Sequence, residues 1–159
     1  MKEVTLEEVL EDELELLHKM QVRAFMPLYE KYHDDISPAV ESLEYVKGRF
    51  SIPSRKYYFV MNYGIKVGAI NIGTKNADDI MNIGPFFILP EFQNMGFGYA
   101  AIQEAFKLYP EALHWHLDTI LQEPTNCHLY EKCGFVRTGS ETVINDKMTI
   151  VDYELLRGN

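Results

Sequence analysis

The spacing of hydrophobic positions predicts a short strand and two helices in the first third of the chain. After a strand at Val4 to Leu6, one stripe recurs every three or four residues, as on one face of an α-helix: Leu14, Leu17, Gln21, Ala24, Phe25, Leu28 and Tyr32. Asp12 followed by Glu15 has the pattern of a capping box that opens this helix. Ser37 and Pro38 suit the N-cap and first position of a second helix, whose stripe is Val40, Leu43, Val46 and Phe50.

The middle of the chain changes to the pattern of β-strands. Aromatic and β-branched residues are concentrated at Tyr57 to Asn62, Ile65 to Ile72 and Ile80 to Leu89. Turn residues separate these runs, at Asn62-Tyr63-Gly64 and at Lys75 to Asp79. Connections this short predict that the three strands form an antiparallel meander.

The last third of the chain alternates between the two patterns. A helix is predicted from Gly98 to Leu108, a strand from Leu113 to Ile120, a helix from Thr125 to Lys132 that stops at Gly134, and a hairpin of Phe135 to Val143 and Met148 to Leu155 around Asn145-Asp146. The third meander strand, the helix after it and the next strand form a βαβ unit, which requires one parallel pair. The expected fold class is therefore α/β, with a mixed sheet of six to seven strands and about four helices.

Length, composition and charge narrow the class of protein. The 159 residues suit one domain over the whole chain, 1–159, and 47% hydrophobic with 25% charged residues argues against disorder. No apolar run reaches the ~18 residues that span a bilayer, and the acidic N-terminus has no signal-peptide core, so a cytoplasmic protein without a membrane partner is expected. The net charge of −9 disfavours nucleic acid and favours a cationic small molecule or basic peptide.

Two glycines stand where the third meander strand gives way to the next helix. Gly96 and Gly98 would let the backbone approach a pyrophosphate, and a helix N-terminus offers N–H donors and a positive dipole end to it. The run from Gly96 to Ala101 also fits the dinucleotide fingerprint, with Asp118 at the place of the ribose-binding acid. Pro90 to Met95 separate the first glycine from its strand, however, which disfavours an NAD(P)-dependent oxidoreductase.

The same segment closely resembles the GNAT superfamily of acetyl-CoA-dependent N-acetyltransferases. That family's signature has an apolar strand end, a Pro, and then [Q/R]-x-x-G-x-[G/A] at the start of a helix, and this chain matches it with Ile88, Pro90, Gln93, Gly96 and Gly98. The family often carries L-Y-E-K-x-G-F further on, and Leu129 to Phe135 match this second signature. The resemblance covers nearly the whole chain and implies a GNAT-type fold with acetyl-CoA, or CoA, as the cofactor.

The resemblance also implies roles for particular residues. Gln93 would belong to the cofactor-binding loop, and main-chain N–H groups after it would hold the pyrophosphate, from Asn94, Met95, Gly96, Phe97, Gly98, Tyr99 and Ala100. The backbone of Ile88 would face the thioester and pantetheine arm, and Tyr130 would protonate the leaving thiolate. The family commonly has a cofactor-binding Asn where this chain has Glu123, and Asn126 could serve instead.

The acceptor implied by the resemblance is a primary amine of a small molecule or peptide, acetylated by direct attack in a ternary complex. Its ammonium must lose a proton, and the candidate bases are Asp118, Glu123 and, less favoured, Glu91. A non-catalytic CoA-binding module on the same fold is the alternative, and the edge of the final hairpin could support a homodimer.

Two further groups of residues suggest other chemistry. His114, His116 and Asp118 alternate along one strand face, but positions ~6.6 Å apart rarely converge on one metal ion, so no metal site is expected. Cys127 and Cys133 flank one packed helix, so they are not expected to act as a nucleophile or a redox pair.

Overall fold

The computed structural model describes residues 3–74 and 79–158. In that part of the chain the elements are β1 (Val4–Glu8), α1 (Leu14–Tyr32), α2 (Leu43–Phe50), β2 (Arg55–Asn62), β3 (Ile65–Thr74), β4 (Met81–Ile88), α3 (Phe97–Leu108), β5 (His114–Ile120), α4 (Pro124–Lys132), β6 (Val136–Val143) and β7 (Thr149–Leu156). The turn expected at Lys75 to Asp79 lies outside the described residues except for Asp79. Within the described ranges, no helix has the length and apolar character that a membrane span requires.

The strands form one mixed sheet in the order β1-β2-β3-β4-β5-β7-β6. β1 to β4 are an antiparallel meander, β4 and β5 run parallel, and β5, β7 and β6 are antiparallel neighbours. The predicted mixed sheet, flanked by four helices and containing one βαβ unit, is therefore confirmed.

The two predicted helix starts are wrong. A one-turn 3₁₀-helix at Glu11–Glu13 precedes α1, and the carboxylate of Glu13, rather than Glu15, accepts a hydrogen bond of 2.9 Å from the N–H of Leu10. Ser37 caps only the one-turn 3₁₀-helix Pro38–Val40, because the chain is extended at Glu41 and a second cap, Ser42, opens α2. The stripe predicted from Val40 onward is therefore broken, and Val40 is exposed.

The sheet separates two apolar layers, as strand alternation requires. On β2, Tyr58 and Val60 pack with α3 and α4, whereas Tyr57 and Phe59 pack with α1 and α2. The layer beneath α3 and α4 contains Trp115, which is fully buried and in edge contact with Phe106 at 5.1 Å between ring centroids. Apolar burial on both faces holds the sheet between the two pairs of helices.

The parallel strands stay together for only two residue pairs. Met81 is opposite Trp115 and Asn82 is opposite His116, and beyond them β4 and β5 are no longer paired. On the other side of β4, the register with β3 shifts between Ile70 and Ile72, so that residues 84 and 85 together oppose residue 71. Such a bulge bends its strand, and here it lies where β4 leaves β5.

Candidate functional site

A cavity of about 330 Å³ lies where β4 and β5 separate. Apolar side chains of α1, β4, β5 and β7 form much of its wall, and the polar residues on the wall are Asp34, Ser37, Glu41, Asn82, Asp118, Thr119, Asn126 and Tyr130. The cavity thus joins residues from both faces of the sheet. Two of the three site side chains that sequence reasoning placed near the acetyl group, Tyr130 and Asp118, lie on its wall together with Asn126.

The backbone of Ile88 is turned towards this gap. Ile88 lies opposite Gly68, and the N–H of Leu89 donates to the carbonyl of Val67 at 2.8 Å. In an antiparallel ladder this pattern makes Ile88 and Gly68 a non-hydrogen-bonded pair, so the N–H and C=O of Ile88 point away from β3. The carbonyl accepts a hydrogen bond of 2.9 Å from the side chain of Gln93, which leaves the N–H as the group directed towards the gap.

The backbone of Phe86 also faces the gap between β4 and β5, which sequence reasoning missed. It is two residues before Ile88 and pairs with Ile70 in the same register, so its N–H and C=O point the same way. The period of two along a strand could have indicated it once Ile88 was chosen.

The loop after β4 turns the chain into the N-terminus of α3. Pro90–Phe92 make one 3₁₀ turn, and Asn94 and Gly96 both adopt the left-handed conformation, with φ of 62° and 86°. α3 begins at Phe97, where first-turn N–H groups have no acceptor within the helix. The N–H of Ala100 differs from the other predicted donors, because it already donates to the carbonyl of Gly96 at 3.2 Å.

Gly98 allows α3 to lie against α4. A Cβ at this position would be 3.0 Å from Cδ2 of Leu129. The second glycine of the signature therefore has a packing role of its own, beside any contact with a phosphate. This packing brings the start of α3 close to the helix that carries Asn126 and Tyr130.

Tyr130 is held by aromatic neighbours with its ring buried. Its ring centroid is 6.3 Å from those of Phe135 and Tyr153. Burial raises the pKa of Tyr130, and the nearby Cys133 and Asp118 raise it further. The phenol therefore keeps its proton at neutral pH, as a proton donor must.

The three candidate bases occupy different environments. Asp118 lies on the cavity wall. Glu123 instead joins the end of α1 to the start of α4, because it accepts hydrogen bonds from Lys31 at 2.7 Å and Tyr32 at 2.5 Å. Glu91 forms an exposed ion pair with Arg23 at 2.8 Å. Of the three, Asp118 is the one that lines the cavity.

The histidines of β5 are engaged with neighbouring strands. His114 lies 3.3 Å from a carboxylate oxygen of Glu154, and His116 lies between Asn82 at 3.0 Å and Asp152 at 3.7 Å. Among residues 3–74 and 79–158, no three His, Cys, Asp or Glu side chains are grouped to hold a metal ion.

The two cysteines lie in α4 and directly after it. Both are free and half-buried, and burial raises the pKa of Cys133 to about 11. A thiol with that pKa is almost entirely protonated at neutral pH.

The segment between α1 and α2 supplies a wall of the cavity that sequence reasoning missed. It places Asp34, Ile36 and Glu41 beside Phe25 and Leu28 of α1. In the sequence these acids look like ordinary loop residues, and no motif distinguishes them. Only the approach of the loop to the gap in the sheet makes them part of the site.

Comparison with known proteins agrees with this geometry. The model of the acetyltransferase (GNAT) family matches residues 14–135, more than half of the chain. A search of curated proteins finds no match.

Solved structures share the fold at low sequence identity. Spermidine N-acetyltransferase from Vibrio cholerae, in complex with CoA and spermine, superposes with a TM-score of 0.76 at 19% identity, over 97% of this chain and 95% of that one. The ribosomal-protein-S18-alanine N-acetyltransferase from Escherichia coli gives a TM-score of 0.76 at 12% identity, over 99% and 96%. The microcin C7 self-immunity acetyltransferase, with acetyl-CoA and AMP, gives 0.75 at 15% identity, over 97% and 92%.

The dinucleotide alternative is not supported, because Gly96 follows the last residue of β4 by a 3₁₀ turn and a loop rather than directly. With the family model matched over the segment that contains both signatures, the chain belongs to the acetyltransferase (GNAT) family of acetyl-CoA-dependent enzymes.

Proposed function

We propose that residues 1–159 act as a single domain that transfers the acetyl group of acetyl-CoA to a primary amine, by direct attack in a ternary complex. The observation that carries this proposal is the gap between β4 and β5. It opens a cavity whose wall includes Asp118, Asn126 and Tyr130, next to the end of β4 that continues to Ile88 and the start of α3.

The residues present fit the cofactor. First-turn amides of α3 and the left-handed loop before it suit a pyrophosphate, and the Ile88 N–H suits an amide carbonyl of the pantetheine arm. Asn126 lies on the cavity wall one turn before Tyr130, so it makes the side-chain hydrogen bond to the cofactor. Glu123 is not placed to make it, because Lys31 and Tyr32 hold its carboxylate.

Acetyl-CoA supplies an activated acetyl thioester, and two side chains of this chain handle the protons. Asp118 takes a proton from the acceptor ammonium, directly or through water, so that the nitrogen lone pair can form the new N–C bond. As the C–S bond breaks, Tyr130 gives its proton to the departing thiolate. After the N–C bond has formed, the nitrogen loses a second proton, which passes through water to restore the Tyr130 phenol, and the proton held by Asp118 passes to solvent. The amide and the free CoA thiol are the products.

The acceptor that suits this cavity is a cationic small-molecule or peptide amine. Asp34, Glu41 and Asp118 line it, and none of the described lining residues is Lys, Arg or His. A structural neighbour named as a spermidine N-acetyltransferase supports an amine of this kind. A homodimer is a further part of the proposal, since both faces of the edge strand β6 are exposed.

A thermal-shift series combined with thiol release tests the proposed function. Acetyl-CoA and CoA at 100 times Kd are expected to stabilise the protein by about 2.7 kcal/mol, and NAD and NADP to have no effect. Addition of a panel of amines to protein and acetyl-CoA should then release free thiol. Stabilisation by CoA without thiol release from any amine would favour the non-catalytic binding module, and no stabilisation by CoA would contradict the cofactor assignment.

Gly96→Ala is expected to weaken CoA binding about tenfold or more. The left-handed φ of 86° is unfavourable for alanine by roughly 1–2 kcal/mol, and relaxation of the loop would move the amides that face the phosphates. The Kd for CoA, measured by calorimetry, checks this.

Gly64→Ala is the matched control for this variant. Gly64 has a similar φ of 81°, lies in the turn between β2 and β3, and has nothing within 4 Å of an added Cβ. Both variants should lose stability, and only Gly96→Ala should lose affinity. Equal Kd values in the two variants would remove the loop from the phosphate site.

A further inference from the structure

One acidic residue on the cavity wall, Asp34, has no side-chain partner among the described residues. Asp34 is only 4% exposed, and its carboxylate accepts no hydrogen bond and forms no ion pair with any residue in 3–74 or 79–158. It follows the end of α1, where His33 adopts a left-handed φ of 50° and turns the chain inward. Asp34 is among the residues that line the cavity.

A second acid on the same wall shows that this lack of a partner is particular to Asp34. Glu41 also lines the cavity, but Arg49 donates to both of its carboxylate oxygens, at 2.9 and 2.7 Å, and Gln21 donates a third hydrogen bond at 2.9 Å. Burial of an unpaired charge is costly, and folded proteins generally pair such groups. The absence of a protein partner for Asp34 points to a cation that arrives with a ligand.

The residues around Asp34 indicate which kind of ligand would carry this cationic group. Phe25, Leu28 and Ile36 form the apolar part of this wall, and Pro85 and Phe86 continue the lining along β4 towards the gap. An aliphatic chain suits such a lining, because its burial is favourable and leaves no polar group unsatisfied. An ammonium group suits Asp34, because it only donates hydrogen bonds and a carboxylate only accepts them.

We propose that Asp34 binds the second cationic group of the acceptor, so that this protein prefers an aliphatic diamine over a monoamine of the same length. The inference rests on the proposed acetyl transfer and adds the substrate class. One amino group reacts near Asp118 and Tyr130, and the other remains charged and pairs with Asp34. Because Asp34 does not contact the reacting nitrogen, it is a specificity residue, and its removal should act on KM more than on kcat.

The test compares three acceptors of equal length: 1,4-diaminobutane, n-butylamine and 4-aminobutan-1-ol. Initial rates of thiol release with saturating acetyl-CoA give kcat and KM for the wild type, Asp34→Asn, Asp34→Glu and Asp35→Asn. Asp35 is the exposed neighbour of Asp34, so Asp35→Asn removes the same charge from the surface and controls for long-range attraction.

The wild type is expected to favour the diamine over both other acceptors by about 10- to 100-fold in kcat/KM, mainly through KM. Asp34→Asn should abolish most of this ratio, Asp34→Glu should recover part of it, and Asp35→Asn should preserve it. Thermal unfolding adds a readout that does not depend on turnover. Asp34→Asn should unfold at the same temperature as the wild type or higher, and stabilisation of the CoA-bound protein by the diamine should be lost.

Three results would contradict the proposal, and they can be told apart. Equal kcat/KM of the wild type for diamine and monoamine would overturn the preference. A loss of rate in Asp34→Asn that is the same for all three acceptors would assign Asp34 a structural role. If CoA binds but no amine is acetylated and the diamine gives no thermal shift, the proposed transfer fails together with this inference.

Discussion

Tyr130→Phe is expected to lower kcat by about 100-fold while the Kd for CoA stays nearly unchanged. Tyr130 is buried at the cavity, and burial raises its pKa, so the phenol is a protonated donor where a thiolate must leave. The substitution removes one oxygen and keeps the ring packed against Phe135 and Tyr153. Thiol release under saturating amine and acetyl-CoA measures kcat, and calorimetry with CoA measures Kd.

Tyr153→Phe provides the matched control. This second buried tyrosine touches the ring of Tyr130, but its hydroxyl donates to Glu131 at 2.7 Å and does not line the cavity. Its loss should cost stability and leave kcat close to the wild-type value. A Tyr130→Phe enzyme with wild-type kcat would mean that water or another group protonates the thiolate, and the acid role would be contradicted.

The order of helices and strands was predictable from the sequence because a helix buried on one side repeats its apolar residues every three to four positions, whereas strands covered on both faces, such as β2 and β3, are continuous apolar runs. The helix starts were not, since several Ser, Asp and Glu side chains compete for the same caps. Before α2 the chain carries two capping serines, Ser37 and Ser42, and the extended Glu41 between them decides which one opens α2. Glu41 is fixed by Arg49, a contact that becomes possible only once α2 has formed.

The part of the site predicted from the sequence lies in two signatures, each of which is a continuous stretch of the chain. The loop at Gly96 and the helix with Tyr130 are local in the chain, so a resemblance could place both. Asp34 depends on packing instead, because its burial arises where the end of α1 meets the gap in the sheet. Glu123 shows the reverse case. It occupies the position where the family commonly has a cofactor-binding Asn, but in this structure its carboxylate links α1 to α4 through hydrogen bonds from Lys31 and Tyr32.

Gly68→Ala is expected to cause the largest loss of stability among these variants, about 3 kcal/mol or more. An added Cβ would lie 2.1 Å from the carbonyl oxygen of Phe87 and 3.0 Å from Cα of Ile88. These are backbone atoms of the neighbouring strand, so relief requires β3 and β4 to move apart. Thermal unfolding measures the effect, which at 2–4 °C per kcal/mol amounts to roughly 6–12 °C.

Gly48→Ala makes the same chemical change where space is open. Gly48 lies in α2 with nothing within 4 Å of an added Cβ, so alanine should raise stability by about 0.5–1 kcal/mol through its better helix propensity. The opposite signs expected for the two variants separate backbone crowding from a general effect of alanine. The close approach at Gly68 also holds Ile88 in the pairing that turns its N–H towards the gap. If Gly68→Ala unfolded at the wild-type temperature, that approach would be absent, and the assignment of the Ile88 N–H to the cofactor would lose its structural basis.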